Sequence, residues 1–311
     1  MLRRSAFPIL VCALAALTFS SARGQEPSPE ERPIRFVAYN VWNYLDMNRR
    51  IDGEMLENAP KPAEEVEALV EMIQLGNPDI LGLCEIQPEP YLAELQARLK
   101  SEGIDLPHTH FVAAPDGRPR SLALLSRFPI VSSDSQDSLT YRANGETLPH
   151  SRGILDATVQ VNPDYQLRLI GLHLKSKREV PGLDQGLMRQ IEAVMAREHV
   201  DKILEADPET NLLVYGDIND TRNQPGPKSI KGQFGTPGYL WEMKLEDSQG
   251  FRWTHHWDWE EIYAKIDFVF ASQEVRGEID NNASGILALD QWALASDHRP
   301  LLITINPVDQ P

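Results

Sequence analysis

Short apolar runs separated by turn residues recur along most of this chain. Several are almost continuously apolar, which is typical of strands covered on both faces of a sheet. We expect strands at Ile34–Tyr39, Ile80–Cys84, Leu122–Leu125, Ile154–Val161, Leu167–Leu174, Leu212–Tyr215, Ile266–Phe270 and Leu301–Ile305.

Helical patterns fall between some of these runs. Pro62–Leu75 repeats apolar residues at helical spacing, with Pro62 suited to the first turn and Gly76 to the stop. Pro90–Leu99 and Leu187–Leu204 show the same pattern. We therefore expect at least three helices between the strands.

Two of the apolar runs, 154–161 and 167–174, are joined by a short Asn162-Pro163-Asp164 turn. This spacing predicts an antiparallel hairpin. Mixed strands with helices outside indicate a layered α/β sandwich. The sequence has no internal repeat and no linker that would divide it, so we expect one domain over residues 34–307.

The N-terminal residues are expected to lie outside this domain. Arg3 and Arg4 precede the apolar run Ile9–Phe19, and small residues near Gly24 resemble a cleavage site, so residues 1–24 are predicted to be a secretory signal peptide. Residues 25–33 form a polar, proline-rich lead-in. We expect an exported bacterial protein, secreted or periplasmic, with no transmembrane segment.

Composition and charge narrow the expectations further. Cys12 would leave with the signal peptide, so Cys84 remains alone and no internal disulfide is expected. The formal net charge is −16, and loss of the three signal-peptide arginines lowers it to −19. Such a charge repels polyanions at long range. It weakens the case for avid nucleic-acid binding without excluding a local basic groove.

Polar side chains flank or interrupt six of the apolar runs. Asp217 and Asn219 lie two residues apart and share a face if the chain there is extended. The carboxylates of Glu85 and Asp297 suit hard cations such as Mg²⁺ or Mn²⁺. The full set is Asn40, Glu85, His173, Asp217, Asn219, Asp267, Asp297 and His298.

Each fragment also has an alternative explanation without catalysis. Gly216–Asp220 could be an ordinary turn, because Gly, Asp and Asn dominate turns. Glu85 could be a first-turn acid at the positive end of a helix. Asp267 differs, because an unpaired acid inside an apolar run is costly and a partner is therefore expected. His298 is a suitable partner, since a neighbouring acid would fix its tautomer.

Taken in order, these fragments resemble the endonuclease/exonuclease/phosphatase superfamily. That group includes pancreatic deoxyribonuclease, apurinic endonucleases, bacterial sphingomyelinases and inositol-polyphosphate 5-phosphatases. The resemblance extends from Phe36 to Ile305, and 124–130 and 151–153 also match. It implies a four-layer α/β sandwich, with two mixed β-sheets packed face to face and helices on the outside.

The resemblance also implies roles for the metal-binding residues. Glu85 would bind a catalytic divalent cation, with Asn40 and Asp297 beside it. Mg²⁺ is the expected cation, with Mn²⁺ and Ca²⁺ as alternatives. A zinc hydrolase is a weaker alternative, because the histidines lack a spacing such as His-Glu-x-x-His.

The catalytic roles that the resemblance implies concern five residues. Asp217 would orient or deprotonate the attacking water, and Asn219 would hold that water and a phosphoryl oxygen. His298, oriented by Asp267, would contact the scissile phosphate as base or electrostatic clamp. His173 would bond another phosphate oxygen or assist the leaving group. The general base is assigned jointly to His298 and Asp217.

Basic side chains near these fragments are candidates for binding the substrate phosphate. Phosphate esters are anionic, so their hydrolysis needs positive charge and donors around the phosphoryl oxygens. Arg152 and Lys175 are the two candidates, and Lys175 would share the face of His173 if the chain is extended.

The expected substrate is a phosphoester. A phosphodiester in nucleic acid is the first hypothesis, because the 173–177 segment resembles extracellular nuclease-type members. The alternatives are small phosphoesters or lipid headgroups, as in sphingomyelinases and inositol phosphatases, and a non-catalytic binding module. No obligate protein partner is evident. Residues 221–260 could be a surface excursion or one wall of the cleft. The tryptophans of this segment could stack on bases, contact lipid or pack internally. They are Trp241, Trp253, Trp257 and Trp259.

Overall fold

The computed structural model describes residues 32–88 and 90–309, without the side chain of Asp116. The predicted signal peptide and most of the lead-in lie outside these residues. Within the described part of the chain, no helix is long and apolar enough to cross a membrane.

Two large mixed sheets form the centre of the fold. The first has the strand order β17-β18-β1-β4-β6-β5, and the second has the order β13-β16-β12-β11-β10-β7. The first sheet consists of β1 (Ile34–Tyr44), β4 (Ile80–Ile86), β5 (His108–Val112), β6 (Ser121–Ser126), β17 (Gly285–Ile286) and β18 (Leu301–Ile305). The second consists of β7 (Ile130–Ser133), β10 (Ile154–Asn162), β11 (Tyr165–His173), β12 (Leu212–Asp217), β13 (Trp241–Glu242) and β16 (Asp267–Ala271).

Three two-stranded ribbons and the helices complete the described residues. The ribbons pair β2 (Met47–Ile51) with β3 (Glu54–Ala59), β8 (Thr140–Ala143) with β9 (Glu146–Pro149), and β14 (His255–Trp257) with β15 (Ile262–Ala264). The helices are α1 (Ala63–Gly76), α2 (Tyr91–Ser101), α3 (Gln185–Ala206), α4 (Pro225–Lys231), α5 (Gln273–Arg276) and α6 (Trp292–Ala295). Short 3₁₀ turns lie at Pro115–Gly117 and Asp258–Glu260.

The two sheets pack face to face around a shared apolar core. Phe36 of the first sheet and Tyr215 of the second meet edge to face, with ring centroids 4.9 Å apart. Gly82 permits this approach, since a Cβ there would come within 2.3 Å of the Tyr215 ring. Helices α1 and α2 pack on the outer face of the first sheet, and α3 packs on the outer face of the second. The four-layer α/β sandwich is confirmed.

All eight predicted strands and three predicted helices are present, and their ends differ by a few residues. The predicted hairpin is the antiparallel pair β10–β11. The expected stop of α1 at Gly76 is wrong by one residue, because Gly76 is still helical and the left-handed cap is Asn77, with φ 40°. Gly76 instead allows close packing, since a Cβ there would lie 2.8 Å from a methyl group of Val37.

Strand register brings the polar strand ends to one rim of the sandwich. β1 and β4 are parallel, with Asn40 opposite Cys84, so that Glu85 follows at the same edge. β11 and β12 are parallel with His173 opposite Asp217, and β12 pairs with β16 with Asp217 opposite Asp267. Three sequence-distant residues therefore lie side by side across one sheet.

Candidate active site

The centre of the rim is a buried imidazole between carboxylates. His298 Nδ1 lies 2.8 Å from Asp267 Oδ2, and its Nε2 lies 3.8 Å from Asp217 Oδ2. The backbone N–H of His298 donates to Ser296 Oγ, and that hydroxyl donates to the carbonyl of Asn40. The last strand of the first sheet is thus tied to the second sheet through one histidine.

Asp217 and Asn219 form the floor of the site beside this histidine. The backbone N–H of Asn219 donates to Asp217 Oδ1 at 2.8 Å, and its side-chain amide donates to Asp217 Oδ2 at 3.1 Å. Asn219 has φ 55°, a left-handed conformation that Asn tolerates better than most residues. The strand ends at Asp217 and the chain at Asn219 is not extended, so these hydrogen bonds, and not strand alternation, hold the two side chains together.

Glu85 enters the site from the first sheet through a break in the strand. The register of β4 shifts between Cys84 and Ile86, and Glu85 has φ 67°. A non-glycine residue in this region is strained by about 1–3 kcal/mol, a cost often associated with functional positions. The distortion brings Glu85 Oε1 within 3.5 Å of Asn40 Nδ2 and 3.7 Å of His173 Nε2.

Asn40 links the acids of both sheets. Its Nδ2 lies 3.2 Å from Asp217 Oδ2 and 3.4 Å from His298 Nε2. Its Oδ1 accepts a hydrogen bond from the backbone N–H of Trp42 at 3.1 Å. In this arrangement the amide nitrogen, not the oxygen, faces the carboxylates.

Asp297 lies on the outer side of the site with a histidine that the sequence analysis missed. Asp297 Oδ2 is 3.8 Å from His255 Nε2, and Asp297 Oδ1 is 3.8 Å from His298 Nε2. The rings of His255 and His298 have centroids 4.6 Å apart. His255 lies in the 221–260 segment, which therefore supplies one wall of the site. Only the adjacency of two histidines in an aromatic-rich stretch could have indicated it.

Burial and mutual repulsion shift the protonation of the acids. Burial, together with the charge of Asp267, raises the pKa of Asp217 to about 7, although His298 opposes the shift. Burial also raises the pKa of Asp297 to about 6, with Glu85 adding to the effect. These carboxylates lack enough positive charge in the protein alone, which favours a cation at this site.

The two buried histidines are shifted in opposite directions. Burial, with Arg152 and His298 nearby, lowers the pKa of His173 well below its usual value. Burial also opposes protonation of His298, but the carboxylates of Asp267 and Asp297 outweigh it and raise that pKa well above its usual value. In the protein alone, these shifts favour the neutral form of His173 and the protonated form of His298. The positive charge of a cation beside Asp297 would favour loss of the His298 proton, which that residue needs in order to act as a base.

The donor set fits a divalent cation. Divalent cations such as Mg²⁺ bind carboxylate oxygens, and Glu85 and Asp297 supply such oxygens at the rim. Among the described residues, Asp297 Oδ1 is buried without a hydrogen-bond donor, as an oxygen awaiting a cation would be. His255, Asp297 and His298 place ligand atoms within 4.8 Å of one another, as do Asp217, Asp267 and His298.

Arginine side chains surround the acids, and one of them was not predicted. Arg120 Nε lies 3.4 Å from Glu85 Oε2. Arg152, which was predicted, donates to the carbonyl of Leu174 at 3.2 Å and is close enough to Glu85 and Asp217 to feel their charge. The only sequence signal for Arg120 is its position directly before a strand.

Lys175 is placed differently from the other predicted site residues. The strand ends at His173, so Lys175 does not continue the face of that residue. Its ammonium donates to the carbonyls of Ser176 and Arg178, each at 2.8 Å. Burial and the neighbouring Arg152 lower the pKa of Lys175 to about 8. Its predicted contact with phosphate would require that ammonium to leave two backbone acceptors.

Helix α3 fixes the loops that carry these basic residues. Glu192, fully buried, accepts from the Ser151 backbone N–H at 2.9 Å and from the Lys175 backbone N–H at 2.6 Å. Arg189 Nη1 donates to the carbonyl of Lys175, and its Nε lies 3.1 Å from Asp220 Oδ1. One helix face thus holds the loops before β10, after β11 and after β12.

One known protein family matches the sequence of this chain. A sequence model of the Endonuclease/Exonuclease/phosphatase family matches residues 37–298. Among curated proteins, no match to this sequence was found.

Solved structures share the fold at low sequence identity. The human Nocturnin catalytic domain is 20% identical with a TM-score of 0.59, covering 90% of this chain and 98% of that chain. Truncated Caenorhabditis elegans TDP2 is 15% identical with a TM-score of 0.57, covering 88% and 97%. Sphingomyelinase C from Streptomyces griseocarneus is 14% identical with a TM-score of 0.56, covering 88% and 99%. At these identities the likeness establishes the fold alone.

Proposed function

This chain belongs to the endonuclease/exonuclease/phosphatase family, and we propose that it is a divalent-metal-dependent phosphoesterase that hydrolyses phosphodiester bonds. Members of the family are hydrolytic phosphoesterases that use divalent metals. One observation carries the proposal for this chain. The Asp267–His298 pair lies beside Asp217, at the rim where Glu85 and Asn40 also meet.

The chemistry of a phosphodiester explains this set of residues. The ester is anionic and resists attack, so hydrolysis needs a positioned water and positive charge around the phosphoryl oxygens. When bound beside Glu85 and Asp297, the divalent cation would supply Lewis-acid charge to those oxygens. The remaining tasks fall to side chains of this chain.

Asp217, Asn219 and His298 are assigned to the attacking water. Asn219 donates to Asp217 through its backbone N–H and its side-chain amide, and that amide also donates to the Leu174 carbonyl, so both side chains are held rigidly. The 3.8 Å between His298 Nε2 and Asp217 Oδ2 puts both groups beside the same small volume. We assign removal of the water proton to this pair jointly. Asp267 orients His298 by accepting from its Nδ1.

His173 and the arginines are assigned to the phosphoryl oxygens and the leaving group. His173 Nε2 lies 3.5 Å from Asp217 Oδ2, so it faces the same volume from the second sheet. Arg152 and Arg120 bring guanidinium groups, which match phosphate geometry. Lys175 contributes there only if its ammonium is released from the Ser176 and Arg178 carbonyls.

Nucleic acid is the first substrate hypothesis, and a small phosphoester or lipid headgroup is the second. The guanidinium groups of Arg120 and Arg152 support the first as a local basic region. The formal net charge of −16 favours the second, because it repels an extended polyanion. The sphingomyelinase fold likeness is compatible with the second hypothesis.

One experiment tests the proposal. The purified protein is incubated with bis(4-nitrophenyl) phosphate, 4-nitrophenyl phosphate, plasmid DNA or sphingomyelin, with EDTA or with added Mg²⁺, Mn²⁺ or Ca²⁺. We expect turnover of at least one diester that EDTA abolishes and a divalent cation restores. Absence of metal-dependent turnover with all four substrates would refute the enzyme hypothesis, and full activity of His298→Ala would refute the site assignment.

A further inference from the structure

The four tryptophans of the irregular segment divide into two groups. Trp241 packs against Phe234 and Tyr239, and Trp253 packs against Tyr263 and Trp292. Trp257 and Trp259 are instead 51% and 86% exposed. Among the described residues, neither of these two rings has an aromatic partner within stacking distance.

The register of the β14–β15 ribbon places Trp257 on the face of His255. His255 pairs with Ala264 and Trp257 pairs with Ile262, whereas His256 and Tyr263 form the intervening pair. Because side chains alternate between the two faces of a ribbon, Trp257 and Ile262 share the face of His255. His256 and Tyr263 stack on the opposite face, with ring centroids 4.2 Å apart.

The His255 face is the one that meets the active site. His255 forms a β-bridge with His298, and their rings lie 4.6 Å apart. Trp257 is two residues further along, about 7 Å at the rise of a strand. A substrate whose phosphate lies beside His298 can therefore place a ring, attached through one ester bond, next to Trp257. Trp257 and Ile262, which is 47% exposed, thus extend the wall formed by His255 with an apolar surface.

The charges near this surface restrict what it can bind. Asp258, Glu260 and Glu261 lie in the turn of the same ribbon and add three carboxylates. They repel a second phosphate beyond the ring. Exposed apolar side chains beside a reaction centre indicate a surface that binds an apolar part of a ligand.

We propose that Trp257 and Ile262 form a subsite that stacks on one planar, uncharged ring esterified to the phosphate. This subsite favours the second substrate hypothesis over the first, so that the preferred substrate is a small ring-bearing phosphoester and not a long nucleic acid. This inference rests on the proposed function, because the phosphate must lie beside His298 for the ring to reach Trp257. Trp257 acts in substrate selection and takes no part in bond cleavage.

The test compares two non-hydrolysable phosphonates that differ only in the ring. Calorimetry in the presence of Mg²⁺ measures the affinity of phenylphosphonate and of methylphosphonate for the unaltered protein, Trp257→Ala, Trp257→Phe and Trp259→Ala. Trp259→Ala is the matched control, because it removes the same side chain from the same ribbon at a position outside the paired strands.

We expect Trp257→Ala to weaken phenylphosphonate binding about tenfold and to leave methylphosphonate unchanged, since stacking on one ring is worth roughly that factor. Trp257→Phe should retain most of the affinity, and Trp259→Ala should match the unaltered protein. Equal loss for both phosphonates, or no loss for either, would overturn the subsite. If neither phosphonate binds the unaltered protein, the phosphate site itself is wrong, which is a failure of the proposed function.

A lipid surface is the competing occupant, and a second measurement distinguishes it. Sedimentation with phosphatidylcholine vesicles reports whether the ribbon inserts its exposed side chains into lipid. Vesicle binding that both Trp257→Ala and Trp259→Ala abolish, with an unchanged ratio of phosphonate affinities, would overturn the ring subsite in favour of membrane contact. No vesicle binding, with the ring effect confined to Trp257, supports the subsite.

Discussion

His298 Nδ1 lies 2.8 Å from Asp267 Oδ2, although the two residues are 31 positions apart in the sequence. Asp267 is on the second sheet, and His298 lies three residues before the first residue of the last strand of the first sheet. The hydrogen bond therefore crosses the seam between the sheets. It fixes which nitrogen of His298 carries a proton toward Asp267 and leaves Nε2 directed at Asp217.

Replacing Asp267 should remove catalysis while preserving the fold. In Asp267→Asn the amide cannot stabilise a charged imidazole, and it can donate to Nδ1 and so favour the wrong tautomer. We expect kcat on a chromogenic phosphodiester to fall by about 100-fold or more. A thermal melt checks that the protein remains folded. A kcat within twofold of the unaltered enzyme would contradict the role given to the pair.

Replacing Glu85 should weaken the response to divalent cations. Glu85→Gln keeps the size of the side chain but removes one negative charge from the cation site. We expect the Mg²⁺ concentration for half-maximal activity to rise at least about tenfold. Mg²⁺ should also raise the melting temperature of the unaltered protein and raise that of the variant less. Identical melting shifts in the two proteins would place the cation elsewhere.

Glu192 should affect catalysis through the position of Arg152. The two carboxylate oxygens of Glu192 accept hydrogen bonds from the backbone N–H groups of Ser151 and Lys175. Glu192→Gln keeps only one acceptor oxygen, so one of these hydrogen bonds is lost. We expect kcat/KM to fall about tenfold, because small displacements of a substrate-binding group are costly. In an Arg152→Ala background the same substitution should have little further effect. Additive losses of kcat/KM in the double variant would mean that Glu192 does not act through Arg152.

Asp156 should make stability depend on acid pH at a distance from the site. Its carboxylate lies 2.7 Å from His199 Nε2 and 2.6 Å from Arg168 Nη2. Burial raises its pKa, but the hydrogen bonds from His199 and Arg168 outweigh this and leave the pKa below its usual value. A lowered carboxyl pKa stabilises the fold above the unfolded-state value of about 3.9 and loses that contribution as the pH falls below it.

Asp156→Asn should therefore be destabilised by about 3 kcal/mol near pH 7, because it leaves the buried His199 and the partly exposed Arg168 without their carboxylate. Urea unfolding should show that the gap between the two proteins narrows as the pH falls from about 5 to about 3. The variant also serves as a control for Glu192→Gln, because it alters a different contact of α3. A gap that widens toward low pH would contradict the direction of the shift.

The sequence determined the strands and named most of the polar residues that meet in the candidate site. Near-continuous apolar runs form strands that are covered on both faces. A polar residue that ends such a run therefore lies at the end of a strand, on the rim of the sheet. Parallel and antiparallel register then place His173, Asp217 and Asp267 side by side. The family resemblance supplied the order of the fragments across the chain and the four layers.

Only the tertiary structure decided what depends on contacts between distant segments. His255 and Arg120 have no recognisable pattern in the sequence, because their partners Asp297 and Glu85 come from distant segments of the chain. The position of the Lys175 ammonium could not be predicted from residue spacing. The strand ends at His173, and the ammonium donates to backbone carbonyls. Trp257 is exposed on the face of His255, whereas Trp241 and Trp253 pack against other rings, a difference that composition does not encode.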